Sequence, residues 1–229
     1  MQRYGWSSET ATDLIYNAGY TIYSTIDPRI QAEMEQYYQR VSNFPTHKGG
    51  ERAQSGMIII HPATGDILGV VGAVGDKTGN RLHSHATGAL RPAASAIKPL
   101  SVYAPAIDLG ASPASIAYNM PVPISGWKDS AGKDSWPQNY GGGGYKGPQS
   151  FRDAMRNSHN TSAAQILMSY VGISRATSYL RLMGIEDKNI NADPFGLALG
   201  SSGITPVQMA VAFGTIANKG VYQEPISFT

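Results

Sequence analysis

The sequence predicts a mixed α/β (α+β) domain, with a β-hairpin in its first half and a series of helices in its second. Two stretches rich in β-branched residues, Ala53–His61 and Ile67–Val74, flank the turn-forming run Pro62-Ala63-Thr64-Gly65-Asp66. From Ser150 onward apolar residues recur at helical spacing, with capping residues or glycines at the breaks. The helix-to-helix spacing is too uneven for a solenoid.

Residues 1–20 are polar with scattered aromatics and read as a linker with room for a short helix. Tyr20–Ile26 alternates β-branched and aromatic residues, a strand pattern. Asp27 followed by Pro28 is an N-cap with proline at the first helical position, opening an amphipathic helix over 28–42. The hairpin strands are nearly continuous in apolar residues, which calls for cover on both faces. Gly75–Gly88 is a polar loop, and a helix is expected from Ser95 to Leu109, with Pro105 kinking or ending it. The proline-rich stretch Ser112–Trp136 reads as loop, and Gly141–Gly144 as a loop tip or the rim of a cleft. Ser150 with Asp153 starts a short helix with Phe151, Ala154 and Met155 inward. Helices over Thr161–Val171 and Ser174–Met183 follow, and Thr205-Pro206 opens the last one, which ends before Gly220.

Composition narrows the function. A formal net charge of +2 and the lack of a basic cluster give no case for a nucleic-acid partner. Cysteine is absent, which excludes disulfides and thiolate metal sites, and the longest apolar runs are too short to span a bilayer. No metal or cofactor is expected. His83-Ser84-His85 has no carboxylate or cysteine close by and reads as a loop pair.

The residues that promise chemistry are Ser95 and Lys98, in Pro92-Ala93-Ala94-Ser95-Ala96-Ile97-Lys98-Pro99. Three apart at a helix head, they share a face. A hydroxyl needs a base before it is a nucleophile, and a lysine held neutral by burial is such a base. Alone the spacing is weak, because a capping serine followed by a solvated lysine spells the same letters. About sixty residues on, Ser158-His159-Asn160 forms a Ser-x-Asn triplet. By itself it reads as a helix junction. The two motifs together, in this order, belong to the motif set of penicillin-binding proteins and serine β-lactamases.

Beyond these motifs, Thr21–Gln31 (TIYSTIDPRIQ), Ile58–Val71, Arg91–Pro99, Trp136–Tyr140 (WPQNY), Phe151–Ala163 and Leu197–Gly220 fall in one family's order and rough spacing. The chain resembles the transpeptidase domain of class A penicillin-binding proteins over nearly all of its length after about residue 12. The resemblance implies a penicillin-binding protein/serine β-lactamase-like fold: an antiparallel sheet flanked by helices, with an all-helical subdomain. Residues 21–229 would be the N-terminal part of that domain. It implies Ser95 as the acylated nucleophile, Lys98 as its activator, Ser158 as a proton relay and Asn160 as a ligand of the donor peptide's amide. The implied activity is serine D,D-transpeptidation of peptidoglycan stem peptides, inhibited by β-lactam acylation. A D,D-carboxypeptidase, a β-lactamase and a non-catalytic β-lactam sensor are the alternatives. The implied location is the extracytoplasmic face of the bacterial membrane, with an anchor and a glycosyltransferase domain upstream.

Two departures from the family pattern stand out. Ala93-Ala94 replaces the usual Pro-Gly before the nucleophile, where backbone freedom matters. The family's third motif, Lys-Thr-Gly on a later strand, has its only copy at Lys77-Thr78-Gly79, ahead of the nucleophile and in turn-forming company. That copy is read as a decoy. A complementary C-terminal polypeptide segment bearing the true motif is expected as a partner.

Overall fold

The computed structural model describes residue 5, residues 7–142 and residues 144–228. Met1–Tyr4 and Trp6 of the expected linker, Gly143 of the glycine run and Thr229 lie outside the described residues. Helix α1 (Ser8–Asn17) starts where the Ser7 hydroxyl accepts from the Thr10 N–H. The expected strand over Tyr20–Ile26 is not formed: the segment is extended, but only Ser24 makes a bridge, to Phe228. Its alternation has no sheet face beneath it, and Tyr20, Ile22 and Tyr23 are exposed.

Helix α2 (Pro28–Gln39) follows the expected cap, the Asp27 carboxylate accepting from the Arg29 and Ile30 N–H groups. It ends earlier than position 42 and is followed by a separate 3₁₀ turn, Val41–Asn43. Strands β1 (Met57–Ile60) and β2 (Ile67–Val71) form the expected antiparallel hairpin, with a bulge between Ile59 and Ile60. Gly69 lets α2 lie close on β2, since a Cβ there would meet Met34 Sδ at 2.5 Å. The far edge of β2 is satisfied by other means. The Gln31 side-chain amide pairs with both the Val70 N–H (2.8 Å) and C=O (3.0 Å), as a neighbouring strand would. Ile226 bonds to Gly65 and Ile67 beside it. Cover is incomplete, because Met57 and Ile59 on β1 remain 37% and 36% exposed.

Strand β3 (Arg91–Pro92) leads into the segment that carries Ser95 and Lys98. The single α-helix expected there is instead three registers in sequence: a 3₁₀ turn (Ala94–Ile97), a π turn (Pro99–Tyr103) and α3 (Ala104–Asp108). The two prolines account for this. The π register takes the Ala104 N–H to the Pro99 carbonyl, and Pro105 then falls in the first turn of α3, where its missing N–H is not needed. The proline neither ends the helical run nor leaves a gap in it.

The expected loop between Ser112 and Trp136 contains strands. β4 (Ile116–Asn119), β5 (Ile124–Lys128), β6 (Asp134–Ser135) and β7 (Gly147–Ser150) form two antiparallel pairs, β4 with β7 and β5 with β6. The flanking prolines mask a clear alternation in β4, where Ala117 and Asn119 are buried and Ile116 and Tyr118 are exposed.

Helices α4 (Phe151–Arg156), α5 (Asn160–Ile166), α6 (Ile173–Leu182) and α7 (Pro194–Leu199) build the helical half, with a π turn (Leu167–Val171) prolonging α5. Phe151 and Ala154 are buried as expected, but Met155 is 46% exposed, because so short a helix has only one inward stripe. Strand β8 (Gly203–Ile204) pairs with β3, and α8 (Pro206–Ala217) opens on a capping box between Thr205 and Gln208. The core runs through the nucleophile segment, where Ile97, Leu100 and Ala106 are fully buried against Leu167, Leu180 and Leu197.

Candidate active site

Two arms meet at the site. The first is the approach to Ser95. Segment 200–204 runs antiparallel beside 91–94: Arg91 pairs with Ile204, Pro92 with Gly203, and the Ala94 N–H donates to the Gly200 carbonyl at 2.9 Å. Contact is so close that a Cβ on Gly200 would stand 2.1 Å from the Ala94 carbonyl oxygen. Ala94 itself has φ +49°, the left-handed region that favours glycine. The alanine occupies a position where the backbone still demands glycine-like geometry, and it pays in strain of order 1–2 kcal/mol. Ser95 follows, exposed to the cleft in the first turn of the helical run.

The second arm is the α4–α5 junction. Ser158 also has positive φ (+53°) and is half-buried, so the chain reverses there and turns both Ser158 and Asn160 toward Lys98. Lys98 Nζ lies 2.8 Å from the Ser158 carbonyl oxygen, 3.1 Å from Ser158 Oγ and 2.6 Å from Asn160 Oδ1. Lys98 is 2% exposed, and burial lowers its amine from 10.5 to about 8. The hydrogen count matters here. An ammonium uses all three hydrogens on these oxygens. A neutral amine gives two to the carbonyl-type oxygens, which only accept, and presents its lone pair to the Ser158 hydroxyl. No hydrogen bond joins Ser95 Oγ to Lys98 Nζ among the described residues. The amine engages the Ser158 arm, an arrangement compatible with contacts that tighten only when substrate is bound.

Over these groups lies a cleft of about 550 Å³, lined by Ser95, Ser158, Asn160, Tyr140, Lys146 and His159 among others. Three of the four site residues expected from sequence line it directly, and Lys98 lies behind the lining, bonded to Ser158 and Asn160. His159, the middle residue of the Ser-x-Asn triplet, is also a cleft residue. Its ring bonds to the Gln149 side chain, and burial, then the charges of Lys146 and Lys98, lower its pKa. Tyr140 and Gly144 place the glycine run at the rim. Trp136 donates instead to the Tyr145 hydroxyl at 2.6 Å.

Sequence reading missed Asn139. Its Oδ1 accepts from the Asn160 N–H at 2.8 Å, serving the α5 N-terminus where the cap residue His159 makes no side-chain capping bond. The available signal is the WPQNY stretch, one of the segments that carry the family resemblance. Lys77 lies elsewhere, on a separate depression against α2 bordered by Gln31, Tyr38 and Arg81, with His83 and His85 packed edge-to-face (centroids 4.9 Å) in the same loop.

Comparison with known proteins identifies the family to which this mixed α/β domain and its cleft belong. The family model described as the penicillin binding protein transpeptidase domain matches residues 56–228, and the chain belongs to that family, in its class A branch. It is 33% identical over 213 residues to penicillin-binding protein 2a of Streptococcus pneumoniae, covering 92% of this chain and 28% of that protein. It is 34% identical over 171 residues to penicillin-binding protein 1A of Escherichia coli, covering 75% of the chain and 19% of that protein. The chain therefore spans only 19% to 28% of the length of these relatives. The crystal structure of penicillin-binding protein 1A from Haemophilus influenzae superposes with a TM-score of 0.66 at 27% identity, covering 80% of this chain and 27% of that one. PonA1 of Mycobacterium tuberculosis in complex with penicillin V gives 0.78 at 18% identity, a likeness of fold, over all of this chain and 58% of that one.

Proposed function

We propose that this chain forms the nucleophile-bearing part of a serine D,D-transpeptidase that cross-links peptidoglycan stem peptides at the outer face of the cell membrane. The observation that carries the reading is Lys98: buried, lowered to about 8, and bonded to Ser158 and Asn160. Neutral Lys98 takes the proton of Ser95 as Oγ attacks the carbonyl carbon of the donor's terminal D,D-peptide bond. The Ser95 N–H supplies one oxyanion donor. The proton passes through Ser158 to the leaving amine, and an ester on Ser95 remains. An amine of a second stem peptide attacks the ester, loses its proton back through the same groups and forms the cross-link. The hydrogen of Asn160 Nδ2 that is not given to the Gln138 carbonyl, with the cleft wall, holds the donor's amide. A β-lactam opens its ring at Ser95 by the same first step and leaves a stable ester.

A C-terminal segment of the same protein bearing Lys-Thr-Gly completes the site in this reading. The support is the outer edge of β1, which no strand pairs among the described residues, while the β2 edge is satisfied. No described helix is long and apolar enough to cross a membrane. The test is mass spectrometry of the full-length protein after incubation with penicillin. One penicillin mass is expected on the peptide holding Ser95, and none in Ser95→Ala; label elsewhere overturns the assignment. Rapid loss of the adduct as penicilloic acid would favour the hydrolase alternatives, and failure to transfer a donor to an amine would favour the sensor.

A further inference from the structure

The geometry points to Asn139 as a positioning residue for this reaction: with the Gln138 carbonyl it clamps Asn160 so that Oδ1, and not Nδ2, faces Lys98. The inference rests on the transpeptidase reading for its consequence, but its geometry stands apart from it. Asn160 is held from two sides by the same loop. Its backbone N–H donates to Asn139 Oδ1 at 2.8 Å, and its Nδ2 donates to the Gln138 carbonyl at 2.7 Å. With Nδ2 committed to a carbonyl, the oxygen of the amide turns to Lys98 Nζ, 2.6 Å away. A free asparagine amide chooses its orientation among competing partners; this one has no choice.

Asn139 is oriented in turn. Its Oδ1 also receives the Thr161 N–H at 3.4 Å, so two backbone donors require an oxygen there. Its Nδ2 then points at Asn119 Oδ1, 2.7 Å away, which accepts the Thr161 hydroxyl as well at 2.8 Å. Asn119 is fully buried, and its Nδ2 has no partner among the described residues. Leaving that donor unpaired is unfavourable, so what the fold keeps at this position is the oxygen. The chain of amides runs in one sense, from Asn119 through Asn139 to Asn160, and ends as an acceptor on the amine. The other titratable groups that line the cleft, Lys146, His159 and Tyr140, take no part in these bonds.

The experiment measures penicillin acylation of the full-length protein against pH, alongside titration of Lys98 followed by the NMR shift of its ε-carbon. Asn139→Ala is expected to slow acylation of the folded protein at least tenfold. The Lys98 midpoint, and the acid limb of the rate profile with it, should move to lower pH, because the ammonium loses an oriented acceptor. Asn139→Asp, which keeps an oxygen for both N–H groups and gains the Asn119 Nδ2 donor once that amide flips and the Thr161 hydroxyl turns to accept, should stay within threefold of the parent. A Lys98 midpoint in Asn139→Ala that superimposes on the parent's overturns the clamp, as does a rate per folded molecule within twofold. The NMR titration decides the clamp even if the parent takes no penicillin, an outcome that would count against the transpeptidase reading alone.

Discussion

Lys98 and Lys77 each stand in a motif of the same family's vocabulary, and their surroundings differ. Lys98 is 2% exposed, lies in a helical run and touches three oxygens. Lys77 is exposed, sits in the polar loop after β2 and makes no ion pair among the described residues. Burial lowers one amine to about 8. Three letters of sequence spell a motif, but chemistry begins only where the fold removes water and supplies acceptors.

The sharpest way to break the comparison is Lys98→Met. Acylation should fall by about 10²–10⁴-fold, the usual contribution of a positioned base. Stability should change little. Removing a buried amine whose pKa falls from 10.5 to about 8 relieves roughly 3 kcal/mol. Against this, the Ser158 carbonyl and Asn160 Oδ1 lose their donor, which costs about 1–3 kcal/mol for each oxygen left unsatisfied. The same lysine sets two pH dependences in the parent. Acylation needs the neutral amine, so its rate should fall about tenfold per unit below pH about 8. Between about 8 and 10.5 the unfolded chain binds the proton that the folded protein has released, so stability rises with pH across that window. Urea titrations at the two ends should show the rise in the parent and lose it in Lys98→Met.

A smaller effect tests the backbone that presents Ser95. Gly200→Ala places a methyl 2.1 Å from the Ala94 carbonyl at a φ of +72° and should cost about 2–3 kcal/mol in denaturant unfolding. Ala94→Gly acts in the opposite sense: it relieves a φ of +49° and should gain about 1 kcal/mol. A loss of stability in Ala94→Gly would mean that the left-handed turn is not strained.

How much of this was legible in the sequence follows from the range of the forces involved. Asp27-Pro28, Ser150 and Thr205-Pro206 act within one turn, and each cap forms as read. The hairpin was legible for the same reason. The alternation of Tyr20–Ile26 misled because a strand needs a partner, and among the described residues its one β-bridge joins Ser24 to Phe228. β4 and β5 were hidden by Pro113, Pro121 and Pro123, which flank the strands and do not interrupt them. At the site, the residue types of Ser95, Lys98, Ser158 and Asn160 were readable as motifs. What could not be read was which oxygens Lys98 meets, since these come from positions about sixty residues away. Asn139 acts across a loop, 21 positions from Asn160, and no local rule connects the two.

The smallest expected effect is Lys77→Met. The loop copy of Lys-Thr-Gly borders a depression of about 600 Å³ against α2, with Arg81 and Asp76 beside it, and none of its three residues lines the Ser95 cleft. An exposed lysine loses no desolvation penalty and orphans no buried acceptor when replaced, so stability should stay within about 0.5 kcal/mol. Acylation of Ser95 by penicillin should stay within twofold of the parent at every pH, because a solvated charge outside the cleft is screened from Lys98. The outcome that breaks the comparison is a large drop in acylation with unchanged stability. Lys77 would then reach the cleft in a state of the loop other than the one described, and the motif would have to be counted by its spelling after all. With acylation and stability both unchanged, the surroundings of a lysine, and not the spelling of its motif, decide its chemistry.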